Sequence, residues 1–157
     1  MRAMLHWGIG LMFVGAVGCG DDHEHGHEES PAVDACEHLE EGPVIAVIAG
    51  AGDTAPTLSD SHTRYDIDLS SAKDVKVPIG EAAEYYFYFA SATGLVVKDA
   101  SGAVVPSEQQ GSSSEDCDLV GAWFVFDLEV GTYTFELTPP APSTDTQLVF
   151  FEAGHEH

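Results

Sequence analysis

The sequence predicts an all-β fold, namely an antiparallel β-sandwich of jelly-roll or immunoglobulin-like type with one short N-terminal helix. Three observations support this prediction. Apolar residues beyond residue 43 form short runs, several of them with a period of two. Turn signals rich in Gly, Pro, Asp and Ser separate these runs, and no long helical pattern follows them. Many short strands with regular turn signals are typical of sandwiches.

The predicted strands can be read one by one. In residues 62–70, Tyr65, Ile67 and Leu69 alternate with charged residues, which predicts a half-buried strand. Residues 84–90 are aromatic on both faces and predict a central strand. The segment Asp99-Ala100-Ser101-Gly102 predicts a hairpin turn. Further strands are expected in segments 44–49, 75–77, 94–98, 103–105, 120–128, 132–138 and 147–151.

One short helix is predicted before the sandwich. Ser30 is suited to the N-cap and Pro31 to the first helical position, while Gly42 and Pro43 end the pattern. These signals predict a helix over residues 31–42. The sandwich then occupies residues 43–152, and a His-rich tail covers 153–157.

The composition restricts the partners. The chain of 157 residues carries 27 Asp and Glu against 5 Lys and Arg, for a formal charge of −22. Nucleic-acid binding needs clustered basic residues, so no nucleic-acid partner is expected. The same charge favours divalent cations or cationic partners.

The first 18 residues have the character of a signal peptide. Arg2 precedes an apolar stretch of 12 residues, Trp7–Gly18, which is too short to span a membrane. The small residues before Cys19 resemble the lipobox of bacterial lipoproteins. This resemblance implies that Cys19 carries acyl chains, and Gly20 implies sorting to the outer membrane. An ordinary secretory signal is the alternative.

The cysteine count agrees with a lipid-anchored protein. If Cys19 is acylated, Cys36 and Cys117 remain in an oxidising compartment. We therefore expect a disulfide between Cys36 and Cys117. Two buried free thiols are the alternative.

Several short motifs in the predicted sandwich are similar to those of a known type of domain. They are an aromatic strand at 85–90, an Asp-x-x-Gly hairpin at 99–102 and a Gly-Thr-Tyr entry to a strand at 131–133. Residues 62–152 resemble secreted bacterial domains of the prepeptidase C-terminal type. The whole chain resembles small uncharacterised lipoproteins of myxobacterial type. Neither resemblance implies an activity.

The histidines form the one chemical constellation of the sequence. A polar tether, residues 19–30, contains His23, His25 and His27, and the C-terminus contains His155 and His157. In an extended chain alternate residues point the same way, so each tract offers several imidazoles to one ion. Imidazole suits Zn²⁺, Cu²⁺ and Ni²⁺, and binding should fail below about pH 6 as histidine protonates.

Two histidines lie outside these tracts. His38 has Asp34 four residues before it and Glu41 three residues after it on one helical face, which makes it a candidate ligand. His62 opens a predicted strand beside Arg64, and we expect a structural or surface role for it.

Two functions follow from these observations. The first is a lipid-anchored extracytoplasmic protein that binds or buffers Zn²⁺ or Cu²⁺ through His23, His25, His27, His155 and His157. The second is a non-catalytic interaction module of the cell envelope, with a protein, peptide or glycan partner and with the His tracts as spacers. A structural envelope protein is a third option. The sequence contains no His-Glu-x-x-His, Gly-x-Ser-x-Gly or P-loop motif, so an enzyme is not expected.

Overall fold

The helix predicted after Ser30 is present in the structure, a computed structural model that describes residues 30–154. Helix α1 spans Pro31–Glu41. The Ser30 hydroxyl accepts a hydrogen bond from the Ala32 amide at 3.3 Å, which satisfies one of the amides at the helix start. The Gly42 amide donates to the His38 carbonyl at 3.2 Å, and Pro43 then prevents continuation.

Ten strands follow the helix. They are β1 (Val44–Ile48), β2 (Arg64–Asp68), β3 (Asp74–Ile79), β4 (Ala83–Phe89), β5 (Gly94–Lys98), β6 (Val104–Val105), β7 (Gln109–Gly111), β8 (Ala122–Leu128), β9 (Gly131–Thr138) and β10 (Asp145–Glu152). A six-stranded sheet has the order β1-β2-β10-β4-β8-β7, and a four-stranded sheet has the order β3-β9-β5-β6. The predicted all-β sandwich with a short helix is confirmed.

The main core lies between the two sheets. The alternation along β4 sends Tyr85, Phe87 and Phe89 into this core, where Phe87 is fully buried. The rings of Phe126, Phe135 and Phe150 surround Phe87 at centroid distances of 5.9, 4.8 and 5.6 Å. Strand β4 is central in the six-stranded sheet, which explains why it is aromatic on both faces.

A second apolar cluster lies on the outer face of the six-stranded sheet, under α1. The helix contributes Ala32, Ala35 and Leu39, all buried. The sheet contributes Tyr88, Val149 and Phe151, and the chain after β7 adds Cys117 and Val120. The helix is therefore a third layer on the sandwich, and its apolar face is fixed against β4 and β10.

At one edge of the six-stranded sheet two strands pair in parallel, which differs from the predicted antiparallel sandwich. Strands β1 and β2 are parallel, with Val44 opposite Arg64 and Ile48 opposite Asp68. The chain between them makes bridges to the other sheet, Gly50 with Asp74 and Thr57 with Lys76. This long connection brings the chain back to the end of the sheet at which β1 begins, so β2 runs in the same direction as β1.

The expected disulfide is present. Cys36 on α1 is bonded to Cys117, which lies 81 residues further along the chain, with their Cα atoms 5.6 Å apart. Cys19, the tether histidines and the C-terminal histidines lie outside the described residues. Within residues 30–154, no helix combines the length and apolar character needed to cross a membrane.

Candidate metal centre

Helix α1 presents two potential ligands on one face. Asp34 and His38 are four residues apart, so their side chains lie one above the other. The third group, His62, comes from the loop before β2. One carboxylate oxygen and one nitrogen of each imidazole lie within 4.8 Å of one another.

The three side chains form a triangle in which each side chain contacts the other two. His38 Nε2 lies 3.1 Å from Asp34 Oδ1, and His62 Nδ1 lies 3.5 Å from Asp34 Oδ2. The two imidazole nitrogens, His38 Nε2 and His62 Nδ1, are 3.2 Å apart. The side chains are 17–21% exposed, so the triangle is enclosed yet open to solvent on one side.

These spacings suit a tetrahedral ion. With bonds of about 2.0–2.1 Å to nitrogen or oxygen, two ligands of a tetrahedral zinc ion stand about 3.3–3.4 Å apart. The three observed contacts, 3.1, 3.2 and 3.5 Å, lie close to that value, and the two contacts of Asp34 use different carboxylate oxygens. With one donor atom from each residue, the three atoms lie within 4.8 Å of one another. Two imidazoles and one carboxylate are also a ligand set found on zinc sites that keep one position open.

Three contacts fix the helix that carries Asp34 and His38. The Ser30 hydroxyl donates to Asp116 Oδ2 at 2.7 Å at the helix start. The disulfide holds the middle of the helix at Cys36. The Arg64 guanidinium donates to the Leu39 carbonyl at 2.8 Å near the helix end, where a cation also favours the helix dipole.

The position of His62 is set by its backbone and by an aromatic partner. Its φ of +54° lies in the left-handed region, which histidine adopts more readily than most residues other than glycine. Its amide donates to the Phe150 carbonyl at 3.1 Å. Its ring stacks on Phe151 with centroids 5.1 Å apart and an angle of 10°. The imidazole therefore faces α1 across the end of β10.

A buried tyrosine lies beside the site. Burial raises the pKa of the Tyr88 hydroxyl well above its usual value, and the nearby Tyr86 and the Asp34 carboxylate raise it further. Tyr88 therefore stays neutral at physiological pH. Tyr88 therefore adds no negative charge beside the three side chains.

The candidate ligands in the described part of the chain are a different set from those that the sequence predicts. The sequence predicts His23, His25, His27, His155 and His157 as ligands, and all five lie outside residues 30–154. The spacing of Asp34 and His38 is visible in the sequence. The arrival of His62 beside them is not, because it depends on tertiary packing over 24 residues of chain.

Comparisons with known proteins identify no family. No protein-family model matches the chain, and no curated protein matches it. Among solved structures, a β-glucosidase from Paenibacillus barengoltzii matches 69% of this chain at 14% identity with a TM-score of 0.36. The match spans 13% of the β-glucosidase chain. A similarity of this size establishes neither a family nor an activity.

Proposed function

We propose that this protein is an extracytoplasmic, lipid-anchored protein that binds a divalent transition metal ion, Zn²⁺ or Cu²⁺, at Asp34, His38 and His62. The observation that carries the proposal is the cluster of these three side chains, whose polar atoms contact one another at 3.1–3.5 Å. Neutral imidazole is a good ligand for both ions, and one carboxylate lowers the net charge of the bound ion.

The acidic surface supports cation capture. With a formal charge of −22, the protein concentrates cations around itself. Within the described residues, the cations carried by the chain are Arg64, Lys73, Lys76 and Lys98. Arg64 is engaged with the Leu39 carbonyl and with Asp66, at 3.2 Å from its Nε to Asp66 Oδ1.

Both histidine tracts attach to the chain near this triangle. His27 precedes the N-cap Ser30 by three residues. His155 follows Phe151, the ring that stacks on His62, by four residues. Four residues of extended chain span at most about 14 Å. We propose that the tracts deliver ions to the triangle or supply the ligand for its open position.

Zinc titration by calorimetry tests the proposal. The protein to be titrated is the full chain with Cys19 replaced by Ser, because this variant has no thiol at position 19 to acylate. Replacing His62 or His38 by Ala should weaken one class of zinc sites at least about tenfold, because each change removes one of three ligands. Asp34→Asn should weaken the same class because it removes the anionic ligand.

Two matched controls accompany this titration. Asp60→Asn makes the same chemical change as Asp34→Asn at an exposed carboxylate two residues before His62, and zinc affinity should stay unchanged. The triple change H23A/H25A/H27A separates binding by the tether from binding by the triangle. Unchanged zinc affinity in both H38A and H62A would show that the triangle is not a metal site.

The lipid anchor is a separate part of the proposal. The bond between Cys36 and Cys117 occupies both other thiols of the chain, which supports Cys19 as the proposed acyl acceptor. Two or more acyl chains anchor a protein stably to a membrane.

Mass spectrometry of the mature N-terminal peptide should find acyl chains on Cys19. The C19S variant should move from the membrane fraction to the soluble fraction, while Gly20→Ala, which keeps the thiol, should remain with the membrane. An unmodified thiol at Cys19 in the membrane-bound protein would contradict this assignment.

A further inference from the structure

Among residues 30–154, strand β1 forms an unpaired and apolar edge of the six-stranded sheet. It reads Val-Ile-Ala-Val-Ile. Val44, Ile45 and Ile48 are 49%, 37% and 66% exposed. Natural sheets protect exposed edges against pairing with another chain, and β1 lacks the usual forms of protection.

The other three sheet edges in the described part of the chain are protected. Strand β3 contains Lys76 and Pro78 and is bridged by Thr57. Strands β6 and β7 contain only two and three residues. By contrast, β1 has five residues, contains neither lysine nor proline, and lies in a segment, 43–52, without any charged residue.

The backbone groups of β1 divide between its two sides. The Pro43 carbonyl accepts from the Arg64 amide, and the Ala49 amide donates to the Asp68 carbonyl, both at 2.9 Å. Amides and carbonyls of alternate residues in a strand point to the same side. Residues 43, 45, 47 and 49 therefore face β2. Val44, Ala46 and Ile48 direct their amides and carbonyls toward the open edge.

The outward amides and carbonyls of one β1 strand can pair with those of a second β1 strand. A two-fold axis at Ala46 places Ala46 opposite its own copy and Val44 opposite Ile48 of the second copy. Each of the three residues offers one donor and one acceptor, so the antiparallel pair forms about six hydrogen bonds in correct register. The side chains brought into contact are valine, alanine and isoleucine.

We propose that two copies of this chain pair through β1, forming one continuous sheet across a two-fold axis. The charge distribution favours a second copy as the occupant. At −22 the protein repels itself across most of its surface. Segment 43–52 brings no carboxylate of its own into the contact. A second β1 matches this edge in both register and hydrogen-bonding polarity.

Sedimentation of the C19S chain tests the pairing. The chain should sediment as a concentration-dependent dimer, and Ile48→Glu should make it monomeric at the same concentration. Val130→Glu is the matched control, because Val130 is also 66% exposed and the added charge is the same. This control should remain dimeric. Ala46→Pro removes an outward amide without touching the ladder to β2, and it should also give a monomer.

Cross-linking provides a second measurement of the pairing. It does not require a substitution that weakens the contact. In the C19S chain, Ala46→Cys places one thiol next to the axis, and mild oxidation should give a covalent dimer. Val130→Cys should not. A chain that stays monomeric at high concentration, or a dimer that I48E and A46P leave intact, would overturn the proposal. Binding of a different protein at β1 by such a monomer would also count against self-pairing.

Discussion

Replacing Phe87 by alanine should lower the free energy of unfolding by about 3–5 kcal/mol. Phe87 is fully buried between the sheets and contacts the rings of Phe126, Phe135 and Phe150. Alanine would remove this ring and leave a cavity that strands from both sheets cannot close without moving. Native stability is commonly about 5–15 kcal/mol, so the variant would be close to unfolding at room temperature.

Urea denaturation followed by circular dichroism measures this loss. Phe87→Leu serves as the control, because it keeps most of the buried apolar volume and should cost clearly less than the alanine variant. A loss for F87A below about 1 kcal/mol, the level of a surface change, would contradict the central place of Phe87 in the core.

Removing the disulfide should produce the second large effect. Closing a loop of 81 residues contributes about 4 kcal/mol in the chain-entropy model. The double variant C36S/C117S should therefore unfold at a much lower urea concentration than the parent chain. It should also bind zinc more weakly, because α1 carries Asp34 and His38 and the disulfide holds the middle of that helix.

The two consequences can be separated. Reduction of the parent chain should reproduce the lower stability, and it should leave the stability of C36S/C117S unchanged. Zinc affinity should fall in C36S/C117S even in conditions where circular dichroism shows the sandwich intact. Unaltered zinc affinity in that folded variant would mean that the remaining contacts of α1, at Ser30 and Arg64, suffice to place the ligands.

Local signals predict much of the fold. The caps at Ser30 and Gly42 determine the helix ends, since they satisfy backbone groups locally. Alternation determines which residues of β2 are buried. The predicted strand over 62–70 is shorter in the structure, Arg64–Asp68, because His62 turns in the left-handed region. The parallel pairing of β1 could not be predicted, because it depends on where the chain goes between Gly50 and Thr63.

The sequence alone indicates only two of the three residues of the candidate site. The spacing of Asp34 and His38 identifies one helical face by itself. His62 joins them because the end of β10 holds its backbone and its ring through Phe150 and Phe151. Such a contact between distant segments has no signature in a single sequence, whereas the pairing of Cys36 with Cys117 follows from counting thiols.

The cross-link at Cys36 also has a consequence for the timing of maturation. Thiols stay reduced in the cytosol and pair after export. If the protein is exported as proposed, a newly made copy would lack this bond, and its helix would be held by its apolar face and by polar contacts alone. In that case the helix that carries Asp34 and His38 would become rigid only after translocation, and the proposed site would reach its final geometry outside the cytosol.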